Sequence, residues 1–222
     1  LFYLLLGWHL APDYGATWDE YDQRQHGRVA LDYAADYLGL NQAVREPEYD
    51  FTDYSPGRYH GLLFTMSCTM LEEALGLETR REQYLLRHRA VFMLNWLGAV
   101  FFFLLLRRRF HSDRLALLGV LLLVLSPRLF AHSFFNVKDM VLLPLSLISL
   151  YFLQGWLLRP RPARLLLFSI SAALALNVRL TALLLPVLAL FLAVFFLCRD
   201  PEWRPNRRRI LQQLPLLLFT GA

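Results

Sequence analysis

Residues Ala90–Arg109 read AVFMLNWLGAVFFFLLLRRR, seventeen residues that are almost wholly apolar followed at once by three arginines. A helix rises ~1.5 Å per residue, so roughly 17 to 20 apolar residues carry a chain across a ~30 Å hydrocarbon core. Further apolar runs stand at Leu115–Leu125, Met140–Leu158 and Leu180–Leu197. Strand alternation is absent, and backbone polar groups cannot stay unpaired in lipid, so the runs are expected to be helices rather than barrel strands. The composition agrees: 56% of the 222 residues are hydrophobic and mean hydropathy is +0.36. The expected class is an all-α, polytopic transmembrane bundle.

The charges sort by position. Arginines gather in Arg107–Arg114, Arg159–Arg164 and Arg199–Arg209, each a short loop between apolar runs, whereas Asp13–Arg89 holds 14 acids and 8 bases, a net of 8 − 14 = −6. That asymmetry follows the positive-inside rule, with the arginine loops cytoplasmic and residues 13–89 forming one large outer loop. The net charge of +5 therefore speaks for topology and not for nucleic acid. Cys68 and Cys198 fall on opposite faces, so no disulfide is expected.

Leu1–Leu10 reads as the tail of a first span and Leu214–Ala222 as the start of another, so residues 1–222 are expected to be an incomplete N-terminal module. In the outer loop, Tyr21–Leu38 reads as a polar-faced helix and Asn41–Ser55 as irregular. Arg58–Leu77 carries an apolar stripe of Leu63, Met66, Met70, Ala74 and Leu77, which suits a helix lying flat at the interface with Glu72 and Glu73 toward water. Ser126-Pro127 interrupts the third span. Leu165–Leu197 is flanked by arginines on both sides, so it must turn back as a hairpin with its tip near Asn177-Val178-Arg179.

Candidate chemistry lies on the outer side. Asp19 and Glu20 sit just past the first span, and Arg128, Lys138 and Arg179 stand at outer hairpin ends, against the positive-inside bias. A single cation there snorkels to headgroups. Three of them near a carboxylate favour a shared anionic ligand, and a lipid-borne phosphate fits. His60, His132, Glu20 and Asp139 are the plausible metal ligands, without a motif that demands a metal.

These residues carry a resemblance. Trp18-Asp19-Glu20 resembles the tryptophan–aspartate–glutamate motif of the protein O-mannosyltransferases. Tyr59-His60-Gly61-Leu62-Leu63-Phe64 resembles a segment of bacterial relatives, the aminoarabinose and Rgt-type sugar transferases. Ser126–Asp139 (SPRLFAHSFFNVKD) resembles their proline-arginine-phenylalanine-phenylalanine-glycine-histidine block followed by asparagine-proline-lysine-aspartate, with Ala131 in place of the usual glycine and Val137 in place of the usual proline. The resemblance to GT-C membrane glycosyltransferases implies juxtamembrane helices in the first outer loop. It also implies inverting transfer of a sugar from a polyprenyl-phosphate donor to a lipid, glycan or protein hydroxyl, at the periplasmic or exterior face of a bacterial inner membrane. Asp19 would be the base; Glu20, Arg58, Tyr59, Arg128, His132, Asn136, Lys138, Asp139 and Arg179 would contact substrate. Asp19 is expected in a cavity facing the Lys138 tip, with Arg128 or Arg179 on its wall and Glu20 aimed elsewhere. No cofactor is demanded; a divalent cation on the donor phosphate is left open. The competing classes are a transporter or channel with a charged pathway, and a non-catalytic scaffold of the same architecture.

Overall fold

The structure is a computed structural model that describes residues 1–39, 61–199 and 209–213, the side chains of 196–199 excepted. The expectations for Asn41–Ser55, Arg58 and Tyr59 lie outside the described residues. Every regular element among the described residues is helical: α1 (Phe2–Leu10), α2 (Trp18–Tyr37), α3 (Leu63–Ala74), α4 (Arg80–Phe110), α5 (Asp113–Val124), α6 (Pro127–Phe135), α7 (Asp139–Leu158), α8 (Pro162–Val178) and α9 (Leu184–Arg199), with 3-10 turns at Ala11–Asp13 and Leu180–Leu183. The chain divides into two compact units, Leu1–Trp96 with Leu125–Val141, and Leu97–Val124 with Leu142–Ala222.

Among the described residues two helices are long and apolar enough to cross a membrane, α4 and α7, and α5 with α6 makes a third if the pair is one bent span. Helix α4 has 31 residues, about 46 Å, so it extends well beyond a hydrocarbon core. It opens on a capping box: the Thr79 hydroxyl donates to Glu82 Oε2 at 2.7 Å, and the Glu82 N–H donates back to Thr79 Oγ1 at 3.3 Å. The Thr79 hydroxyl and the Thr79 N–H, both donating to Glu82 Oε2, hold this exposed carboxyl below its usual range. At the other end, Arg107–Arg109 complement the negative pole of the helix.

Helix α7 contains Pro144, which has no N–H to give the carbonyl of Met140 four residues earlier. Asn95 of α4 supplies the missing donor, its Nδ2 lying 2.6 Å from the Met140 oxygen. The expected break at Ser126-Pro127 is present, with Ser126 at the N-cap position of α6 and Pro127 in its first turn. In the second unit, α8 ends at Val178 with Arg179 as its cap, and the chain turns through the 3-10 segment into α9, the place read as a hairpin tip. Ser149 of α7 donates to Ser171 Oγ of α8 at 2.9 Å, a polar tie of the kind that joins helices where apolar burial gives no drive.

The first unit has a small aromatic core. Phe134 of α6 stacks on Tyr14 at 4.2 Å and on Phe92 of α4 at 4.9 Å between centroids. Phe92, Phe134 and Ala11 are buried, with Tyr3, Leu4, Trp96 and Phe130 packed around them. Gly7 lets α1 touch this core, because a Cβ there would lie within about 2 Å of the Phe92 ring.

Helices α2 and α3 pack closely, and here the expected orientation is corrected. The buried face of α3 is Thr65, Cys68, Thr69 and Glu72. Leu63, Met70, Leu71 and Leu75 are left exposed. Glu72 does not face water: it pairs with Arg24 of α2 at 3.1 Å and with Arg87 of α4 at 2.5 Å, while its neighbour Glu73 is exposed. Adjacent residues point about 100° apart on a helix, so Glu72 can turn inward to the two arginines while Glu73 stays outside. The helix also begins at Leu63, and Gly76 (φ +62) ends it, with the Leu77 N–H reaching the Glu72 carbonyl at 3.0 Å. Gly27 permits the contact from the α2 side, since a Cβ would meet the Thr65 carbonyl oxygen at 2.6 Å.

Cys68 sits in this seam at 2% exposure, and burial pushes its thiol up to about 11, the neighbouring Arg87 drawing it down less than burial raises it. A maleimide added to folded protein at neutral pH is therefore expected to leave Cys68 unmodified, since the thiolate is the nucleophile. Ser67, one position away, is exposed. In a Cys68→Ala background, Ser67→Cys is expected to label fully. Rapid labelling of wild-type Cys68 without denaturant contradicts the packing of α3 on α2.

Candidate active site

The first unit contains a cavity of about 160 Å³ lined by Thr17, Asp19, Glu20, Gln23, His132, Phe135, Asn136, Val137 and Lys138. One wall is the first turn of α2 and the other is the end of α6 with the turn into α7. Each wall is built by local bonds that can be followed residue by residue.

On the α2 side, Thr17 is the N-cap and Glu20 the third helical residue. Glu20 Oε2 accepts the Thr17 N–H at 2.5 Å and its hydroxyl at 3.2 Å. Glu20 Oε1 lies 2.6 Å from His88 Nε2 of α4, and both side chains are 3% exposed. Glu20 thus lines the cavity while both its oxygens are taken by the protein, and the pair ties the start of α2 to α4. Asp19 has neither constraint. Its side chain is exposed, and it makes no ion pair or hydrogen bond among the described residues. Gln23 follows Asp19 by four residues, one turn along the same face.

On the other side, Asn136 organises the turn. Its Oδ1 accepts the N–H of Lys138 at 3.1 Å and of Asp139 at 2.9 Å, satisfying donors at the start of α7. That fixes the side-chain amide, whose Nδ2 then donates to Asp139 Oδ2 at 3.2 Å and faces His132 Nδ1 at 3.1 Å. A donor aimed at Nδ1 requires that nitrogen to accept, so in the neutral ring the proton resides on Nε2. His132 accordingly offers an N–H, packed against Phe135 at 5.2 Å. Lys138 is half-buried, and no carboxylate pairs with it among the described residues.

The cavity therefore brings Asp19, Glu20, His132, Asn136 and Lys138 together, and Asp139 stands beside it through Asn136. Arg128 does not line it: it is exposed at the start of α6. Arg179 belongs to the second unit. Sequence reasoning passed over Thr17, Gln23, Phe135 and His88. Thr17 was legible, because T-x-x-E before a helix is the capping-box signature. His88 carried no such signal, being 68 positions from its partner. Among the described residues no group of three or more His, Cys, Asp or Glu is placed to hold a metal ion.

A carboxylate and an ammonium, neither paired among the described residues, in one cavity with an imidazole N–H can take a proton at one end and hold an anion at the other. No curated protein and no solved structure matches the chain. A family comparison does, over residues 82–220, which include the His132–Lys138 wall and α4 to α9 but not Asp19. That match covers more than half the chain and identifies it as a member of the dolichyl-phosphate-mannose-protein mannosyltransferase family, membrane glycosyltransferases of GT-C type.

Proposed function

We propose that this integral membrane protein transfers a sugar, with inversion, from a polyprenyl-phosphate donor to an acceptor hydroxyl at the non-cytoplasmic surface. The observation that carries the reading is the shared cavity of Asp19 and Lys138, opposite charges on separate elements that have no ionic partner among the described residues. Asp19 accepts the acceptor proton as its oxygen attacks the anomeric carbon, and the bond from that carbon to the phosphate oxygen breaks with both electrons on oxygen. The donor is a phosphodiester with one negative charge and the leaving phosphate monoester approaches two. A cation beside it stabilises the transition state more than the bound donor. Lys138 supplies that charge and His132 Nε2–H a hydrogen bond. Arg58 and Tyr59 are further donor or acceptor contacts in this reading, and Glu20 acts as the post that fixes the α2 turn.

Family membership favours transfer over the transporter reading. A bacterial inner membrane with the cavity toward the periplasm accords with the net acidic character of residues 13–89. The exposed Leu63, Met70, Leu71 and Leu75 suit α3 lying on that same surface.

Lys138→Ala is the direct test. Binding of a polyprenyl-phosphate sugar in detergent micelles is expected to weaken by about tenfold, since the phosphate charge is present before reaction, and the turnover rate is expected to fall further. Repeating the assay with a chelator separates a divalent cation from the protein's own charges. Unchanged donor affinity and unchanged turnover in Lys138→Ala would remove the cavity from the reaction.

A further inference from the structure

The second unit holds four arginines in one place, at the end of α4, across the α7–α8 connection and in the first turn of α8. The Arg108 guanidinium lies 4.2 Å over the Tyr151 ring, and its Nη1 donates to the Tyr151 carbonyl at 3.2 Å. Arg164 Nη1 donates to the carbonyls of Gly155 at 2.6 Å and Arg159 at 3.2 Å. Both guanidiniums converge on Gly155: a Cβ there would stand 2.8 Å from Arg108 Nη1 and 3.4 Å from Arg164 Cδ. Arg159 and Arg161 lie near enough to act on Arg164 electrostatically.

Among the described residues, carboxylates do not balance this charge. Arg107 pairs with Asp113 at 2.7 Å, but none of Arg108, Arg159, Arg161 and Arg164 has an acidic partner among the described residues. The carbonyls at the C-terminal end of α7 compensate only in part, through the negative pole of that helix. In each bound guanidinium one nitrogen is engaged among the described residues, Nη1 in both Arg108 and Arg164, and the planar fork of five donors matches phosphate oxygens. α4 and α7 are both of membrane-crossing length, and the arginines stand where such helices leave the hydrocarbon, the depth at which headgroup phosphate is concentrated.

We propose that Arg108, Arg159, Arg161 and Arg164, cradled by Gly155 and Tyr151, bind the phosphate of an anionic phospholipid headgroup. The site is separate from the Asp19–Lys138 cavity and does not depend on sugar transfer. The lipid bridges the cationic ends of α4, α7 and α8, so it holds the second unit in one arrangement.

Native mass spectrometry of the full chain, released from nanodiscs of mixed phosphatidylglycerol and phosphatidylcholine, tests it. Wild type is expected to retain phosphatidylglycerol at least roughly tenfold over phosphatidylcholine. Arg108→Gln with Arg164→Gln is expected to abolish that preference, whereas Arg109→Gln with Arg114→Gln removes the same charge outside the cluster and is expected to keep it. Gly155→Ala leaves every charge in place but displaces Arg108, and is expected to lower the preference several-fold. Equal losses in the two double variants, an unaltered preference in Gly155→Ala, or displacement of lipid by millimolar inorganic phosphate would each overturn the proposal.

Discussion

Asp19→Asn is expected to lower sugar transfer by about 100-fold or more while donor binding holds within about twofold. Asparagine keeps the size of the side chain and its place on the first turn of α2, and loses only the ability to take a proton. The turn itself should not move, because it is held by Thr17, Glu20 and His88 and not by Asp19. Nor is a salt bridge lost, since Asp19 makes none among the described residues. The substitution therefore separates chemistry from folding more cleanly than a change at Glu20, where the cap and the His88 pair would fail together. Donor titration and single-turnover rates on the same preparation give the two numbers needed. A variant that transfers sugar at the wild-type rate rules out Asp19 as the base. A variant that is slow because it no longer binds donor points to a positioning role instead.

Much of the fold could be read from the chain because it is written in local signals. The Ala90–Leu106 run became the central part of α4, Ser126-Pro127 became the start of α6, and Asn177–Arg179 became the turn after α8. Such features depend on a few neighbouring residues and on the length of an apolar run. The polar side of the first unit was harder. Amphipathic reasoning assigns the polar stripe of a helix to water, and α3 inverts this, burying Thr65, Thr69 and Glu72 against α2 and α4 while Leu63, Met70 and Leu75 stay outside. The inversion depends on Arg24 and Arg87, which are 48 and 15 positions from Glu72. Nothing local announces such partners. At the cavity, Asp19, Lys138, His132 and Asn136 were singled out by residue type and by the motifs they sit in. Their division of labour was not visible, because it follows from which neighbours are already paired. Glu20 and Asp19 look equivalent in the sequence, and only the His88 contact sets them apart.

Glu72→Ala is expected to be the most destabilising single substitution in the first unit, by about 3–5 kcal/mol. Glu72 is 2% exposed and bonds Arg24 and Arg87 through separate oxygens, and Arg87 is itself 2% exposed. Removing the carboxylate leaves a guanidinium in the interior with Thr69 Oγ1 at 2.9 Å as its remaining partner among the described residues, where its Nη1 already has none. An uncompensated buried charge costs more than the pair ever contributed, so the loss reflects desolvation of Arg87 and not the worth of the bridge. A double-mutant cycle is expected to show this cost directly. Glu72→Leu combined with Arg87→Met removes both charges and keeps apolar volume, and should recover most of the stability lost in either single variant. Thermal unfolding in detergent, read with the Glu72→Ala midpoint lowered by on the order of 10 °C, is the measurement. Because α3 is held to α2 and α4 through this carboxylate, Cys68 should become reactive to maleimide in Glu72→Ala below the global midpoint and return to protection in the double variant. An unshifted midpoint with Cys68 still protected would show that the α2–α3 seam is held by its Gly27–Thr65 packing and not by the buried charges.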